Sequence, residues 1–189
     1  MKIHVIAIKP STILSAALVG IVLALFAANN ARADLPPDVA AKVENYKKKL
    51  VEWAATPVIV AAVKESNAKG GMIPGMGNAK WDELADTDPM VKGLQNNAAG
   101  KLVSKWEEDK VLDKLFVRDE KGNVVAASGK PLLYNNANRP PFKNGLAGVW
   151  ADNVVKPDPT TQKKTVQVSV PIVDGGKNIG VLQTAIIAE

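Results

Sequence analysis

The stretch from Val166 to Ile187, VQVSVPIVDGGKNIGVLQTAII, constrains the fold more than any other part of the chain. β-branched and apolar residues fill both arms, and Asp174-Gly175-Gly176 supplies the positive-φ positions that a tight turn needs. A β-hairpin of two long strands is therefore expected. In the first arm Val166, Val168 and Val170 alternate with Gln167 and Ser169, giving one apolar face and one that is polar but uncharged. Such a face suits either a sheltered pocket floor or a solvated surface. The second arm, Ile179 to Ile187, is apolar on both sides apart from Gln183 and Thr184 and is expected inside the sheet.

Residues 1–33 have the three-part form of an export signal. Lys2 and Lys9 precede an apolar core from Ile13 to Ala28, and Ala31-Arg32-Ala33 is a small-x-small cleavage site before Asp34. The core is short for a membrane span, which needs about 20 residues. The expectation is a signal peptide over 1–33 and a single exported domain over 34–189, soluble in the periplasm or secreted; an uncleaved N-terminal anchor is the alternative. Of 24 basic and 19 acidic side chains, three basic ones (Lys2, Lys9, Arg32) fall in the signal, which leaves 21 against 19. A balance that even, on an exported chain, argues against a nucleic-acid partner.

Two absences narrow the chemistry. There is no cysteine, and the single histidine, His4, leaves with the signal. The mature chain then has no thiol nucleophile, disulfide, Ser-His-Asp triad or usual zinc or copper site. Ser66-Asn67-Ala68-Lys69 fits the S-x-x-K spacing, but its companion elements are missing and a helix end explains it as well. Met72, Met76 and Met90 offer soft ligands, yet the glycines and proline around the first two read as a loop. Neither an enzyme nor a cofactor is expected.

The mature chain opens with helices. After Pro36-Pro37, Asp38 is expected as N-cap, and Val39, Val43, Tyr46, Leu50 and Trp53 follow at spacings of 4, 3, 4 and 3. That stripe suits packing on the domain's own sheet or a helix-on-helix homodimer. Thr56-Pro57 interrupts the helix, and Asp88-Pro89 starts a second block with Val91, Leu94, Ala98, Leu102 and Trp106 as one stripe. From Lys114 the period becomes that of strands. Leu115-Phe116-Val117 and Val124 to Ala127 flank a turn, a long proline-rich connection runs from Ser128 to Lys164, and the central hairpin follows. Helices first and antiparallel strands after indicate an α+β domain.

These segments resemble the Cache family, the extracytoplasmic PAS-like sensor domains of bacterial chemoreceptors and sensor kinases. LFVRDEKGNVVAAS (115–128) is similar to the family's first hairpin, NRPPFKNGLAG (138–148) to its arginine-proline-aromatic-phenylalanine segment, and VSVPIVDGGKNIGVLQTA (168–185) to its closing hairpin. Pro141 stands where the family usually has an aromatic residue. The resemblance implies a five-stranded antiparallel sheet with the long N-terminal helix on one face and a small-ligand pocket on the other, roofed by the long loop. It implies that Arg139 meets a ligand carboxylate, for which the planar guanidinium fork is suited, although a structural salt bridge would also explain that residue. Tyr134, Trp150, Gln167 and Ser169 are expected to line the rest, with Asp152 or Asp174 meeting a ligand amine. The partners implied are a carboxylate or amino acid, and a membrane sensor kinase or chemoreceptor.

Overall fold

The computed structural model describes residues 35–189, so the expected export signal and its cleavage site lie outside the described residues. Five helices come first: α1 (Pro37–Ala54), α2 (Pro57–Lys69), α3 (Asn78–Asp82), α4 (Pro89–Asn96) and α5 (Ala98–Glu107). Strands β1 (Leu112–Asp119) and β2 (Val124–Ala127), helix α6 (Pro140–Ala147) and strands β3 (Trp150–Ala151), β4 (Lys156–Pro157), β5 (Lys164–Asp174) and β6 (Lys177–Ile187) complete the order. The fold is α+β. Its sheet runs β2-β1-β6-β5-β3, antiparallel throughout, and β4 also pairs with β5.

The sheet therefore has six strands where five are expected. The difference lies at one edge, where β3 pairs with Val168 and Ser169 and β4 with Lys164 and Thr165. Between them Asp152 folds its side chain onto the Asn153 N–H and onto Lys156, which breaks the ladder. What would be one edge strand is two short ones.

The helix starts differ in detail from expectation. Pro36 stands at the N-cap of α1 and Asp38 lies in its first turn, where a carboxylate still favours the helix dipole. Pro57 opens α2, and Asp88 caps α4 by accepting from the Met90 N–H. The second helical block is two helices, because Asn97 leaves helical geometry and its Oδ1 accepts from the Gly100 N–H. That break shifts the buried stripe of α5 to Ala99 and Val103 and leaves Ala98 exposed.

Paired residues in a sheet point to the same side, so the register assigns the two faces. Val166 pairs with Ile186 and Val170 with Leu182. These residues, with Leu115 and Val117 of β1, are buried beneath Val39, Val43, Leu50, Ile59 and Val63 of α1 and α2. Of the apolar stripe of α1, Val39, Val43 and Leu50 are buried against the chain's own sheet, while Tyr46 and Trp53 are half-buried. Trp53 and Trp106 stack with ring centroids 4.6 Å apart, half-buried beside that core. A second cluster gathers Trp81, Val91, Leu94 and Tyr134 around Val124 and Ala127 of β2.

On β1, Asp119 is buried and holds the β1–β2 turn to α2. Its carboxylate accepts from Ser66 Oγ (2.9 Å), from the Lys121 and Asn123 N–H groups and from Asn123 Nδ2. Ser66 is thus a structural donor, while Lys69 is exposed and paired with Glu65, so the S-x-x-K pattern forms no dyad. Met72 and Met76 pack against the second cluster.

Candidate functional site

On the other face of the sheet Gln167 pairs with Ala185, Ser169 with Gln183, and Gln183 with Phe116. The polar positions of β5 therefore share a side with Gln183 of β6 and with Phe116 and Arg118 of β1. They floor a cavity of about 680 Å³, walled by the 130–141 connection and by the Trp150–Thr160 segment. That volume falls within the range of roughly 300–1,000 Å³ usual for small-molecule sites. Helix α6 closes one end. Its Gly145 sits so close that a Cβ there would lie 2.5 Å from Ser169 Cβ and 2.9 Å from Val181 Cγ1.

The deepest charged group is Arg118, only 3% exposed. Nε donates to Gln183 Oε1 (2.7 Å), Nη1 to the carbonyls of Gly122 (3.0 Å) and Tyr134 (2.9 Å), and Nη2 to that of Leu133 (3.2 Å). All four acceptors are neutral oxygens, and the guanidinium forms no salt bridge among the described residues. Burial pulls its pKa down from 12.5 to about 9, with the charge of Asp119 acting against the shift, so the group is a cation at neutral pH. A buried cation ordinarily has an anionic partner, because desolvation costs several kcal/mol per ion in a protein interior.

Two of the acceptors, the Leu133 and Tyr134 carbonyls, belong to a loop that the β1–β2 turn holds in place. The Asn136 N–H donates to the Gly122 carbonyl, and Asn135 Nδ2 donates to Asn123 Oδ1 and to the Lys121 carbonyl. Gly122 has φ +83°, and a Cβ there would lie 2.7 Å from the Ala137 nitrogen. Only glycine combines that left-handed turn with backbone so near.

Of the residues expected at the site, Arg139, Trp150, Gln167, Ser169 and Asp152 line this cavity. Arg139 is at the N-cap of α6 and exposed on the rim. Asp152 already pairs with Lys156 at 2.8 Å, and Asp113, also in the wall, pairs with Lys163 at 3.0 Å.

Two expected residues are elsewhere. Tyr134 turns its ring into the second core, 5.5 Å from Trp81, where its hydroxyl accepts from the Ile73 N–H and burial pushes its pKa up. Only its carbonyl serves the cavity. Asp174 begins the β5–β6 turn and pairs with Lys64 of α2 at 2.7 Å, outside the cavity.

Sequence reasoning passed over Arg118, Gln183 and Asn136. A signal existed for the first: Arg118 and Arg139 are the only arginines after Arg32 in a chain whose other cations are lysines, and both line one cavity.

No family model matches the chain, and no curated protein does. Among solved structures it is similar to the sensor domain of the V. cholerae histidine kinase DctB, at 14% identity and a TM-score of 0.40, covering 79% of this chain and 57% of that one. It is also similar to the sensory domain of the Campylobacter jejuni chemoreceptor Tlp3 with isoleucine bound, at 14% identity and a TM-score of 0.40, over 80% and 64% of the two chains. A third is the ligand-binding domain of the Pseudomonas aeruginosa amino acid chemoreceptor PctC in complex with GABA, at 14% identity and a TM-score of 0.36, over 76% and 62%. These neighbours are Cache-type sensor domains. This chain spans 57 to 64% of their lengths. At this distance the choice of ligand rests on the cavity's own residues.

Proposed function

We propose that this chain is an exported small-molecule sensor domain that binds a carboxylate-bearing metabolite in the cavity over Gln167 and Ser169 and passes the event to a partner protein such as a membrane sensor kinase or chemoreceptor. One observation carries the reading: Arg118 is a buried cation whose four hydrogen bonds all go to neutral oxygens. A guanidinium has five N–H donors, so one is unspent, and a ligand carboxylate supplies both an acceptor for it and a negative charge in direct contact, which Asp119 does not. Arg139 on the rim adds a second cation facing the same space and suits capture of the anion from solution. Of the three carboxylates in the wall, Asp152 and Asp113 are paired with Lys156 and Lys163, and Asp158 accepts from Thr160 and Thr161, which reduces their repulsion of an incoming anion.

The test is a thermal-shift screen of the protein against mono- and dicarboxylates, amino acids, amines and purines. A ligand bound to the folded state at 100 times its Kd stabilises by about 2.7 kcal/mol, and the shift grows with concentration. Carboxylates are expected to stabilise and amines without a carboxylate are not. Arg118→Leu should then weaken binding by about 100-fold or more, as loss of a buried charge pair does, with Arg139→Ala giving a smaller loss. Stabilisation by neutral or cationic compounds alone would sink the proposal.

A further inference from the structure

Arg118 orders more than its own surroundings. Its Nε can only donate, so Gln183 must present Oε1 to it, and Gln183 Nε2 then faces Ser169 Oγ at 3.4 Å. The same Oε1 accepts a second bond, from Asn136 Nδ2 at 2.9 Å. Turning the Asn136 amide over would set two carbonyl oxygens against each other. Its orientation is therefore dictated through Gln183 by the arginine.

In that orientation Asn136 Oδ1 has no donor. It is the one buried side-chain polar atom among the described residues without a hydrogen-bond partner. A buried acceptor left so has lost its hydration and gained no hydrogen bond in exchange. Asn136 belongs to the cavity wall, on the same loop whose carbonyls hold Arg118, and its amide is linked to the guanidinium through a single shared oxygen.

We propose that Asn136 Oδ1 accepts a hydrogen bond from the ligand, and that the ligand is a carboxylate bearing an N–H or O–H donor close to the carboxyl group, as in a 2-amino or 2-hydroxy acid. This rests on the reading that Arg118 takes the carboxylate. The arginine then selects for the anion, and Asn136 selects among anions. A carboxylate without the donor leaves Oδ1 unsatisfied in the complex as it is in the free protein, while a donor-bearing one satisfies it on binding.

The experiment measures binding of matched acids by calorimetry: L-alanine and L-lactate against propionate, and L-glutamate and 2-hydroxyglutarate against glutarate. In the unaltered protein at least one donor-bearing acid is expected to bind about tenfold or more tightly than its bare counterpart, the factor that 1.4 kcal/mol of hydrogen bonding represents. Preference for the amino over the hydroxy member, or the reverse, names the donor. Asn136→Ala should bring the pair to within about twofold while the bare acid keeps its affinity, and Asn136→Leu, which refills the volume, should do the same if the alanine variant melts early. Equal affinity within every pair, lost in both members in Arg118→Leu, would overturn the role of Asn136 and leave the carboxylate reading standing. Undiminished discrimination in a folded Asn136 variant would also overturn it. If no acid in the set binds, the carboxylate reading falls and this one with it.

Discussion

The two faces of one sheet have been put to opposite uses. Along β5 and β6 the positions that face α1 and α2 carry Val166, Val168, Val170, Leu182 and Ile186, all fully buried. The intervening positions carry Gln167, Ser169 and Gln183, which floor the cavity with Arg118 beside them. A strand has period two, so a shift of one residue would exchange these sets and destroy both core and cavity. The dry face fixes the register, and the register sets the cavity's polar groups in place.

Substitutions on one strand pair can separate the two roles. The largest effect is expected on the dry face: Leu182→Ala should lower unfolding free energy by about 2–5 kcal/mol in denaturant titration. Gly145→Ala should come next, at about 1–3 kcal/mol, since its methyl must displace Ser169 and Val181 side-chain atoms. That loss would show that the polar face is packed tightly at the α6 end and open only beyond it. Gln167→Ala, a neighbour of the core valines in sequence, should change stability by no more than about 0.5 kcal/mol, because its side chain is exposed within the cavity. A loss comparable to that of Leu182→Ala would abolish the distinction between the faces.

A gentler check concerns the helix side at low pH. Burial would raise the pKa of Asp109, but hydrogen bonds from Lys49 and Tyr46 outweigh it and hold the group below its ordinary range. A carboxylate whose folded pKa is depressed contributes stability above its unfolded pKa and loses it as pH falls through the folded one. Asp109→Asn should therefore lower the melting temperature modestly at neutral pH and flatten its decline below about pH 4. An unchanged slope there would remove Asp109 from the account. On Tyr46 burial, with the same contact, acts in the other direction and pushes the phenol up to about 12.

Much of this arrangement was legible in the chain. The alternation through Val166–Val170 and the Asp-Gly-Gly turn defined the hairpin, Thr56-Pro57 marked the break between α1 and α2, and Asp88-Pro89 marked the start of α4. Gln167, Ser169 and Trp150 were recognisable as lining because strand period and loop position are local properties. Arg118 was not, because the sequence around it, Val117-Arg118-Asp119-Glu120, reads as a strand running out into a charged turn. Its meaning comes from Leu133 and Tyr134, whose carbonyls reach it only when the loop folds back over β1. Tyr134 was misplaced for the same reason: an aromatic ring in a proline-rich loop gives no local sign of which core it will enter. Asn97 shows the reverse case, a cap whose local chemistry was present but hidden inside an unbroken apolar stripe.

The split edge has a consequence for the protein in crowded surroundings. A strand at the margin of a sheet exposes a row of backbone donors and acceptors to which another chain can add. Here that margin consists of two residues, a break from Asp152 to Val155, and two more ending in Pro157, which has no N–H to offer. At the opposite margin β2 is four residues long and wholly buried. Neither side presents a continuous template, so the sheet resists strand-to-strand aggregation at both of its borders.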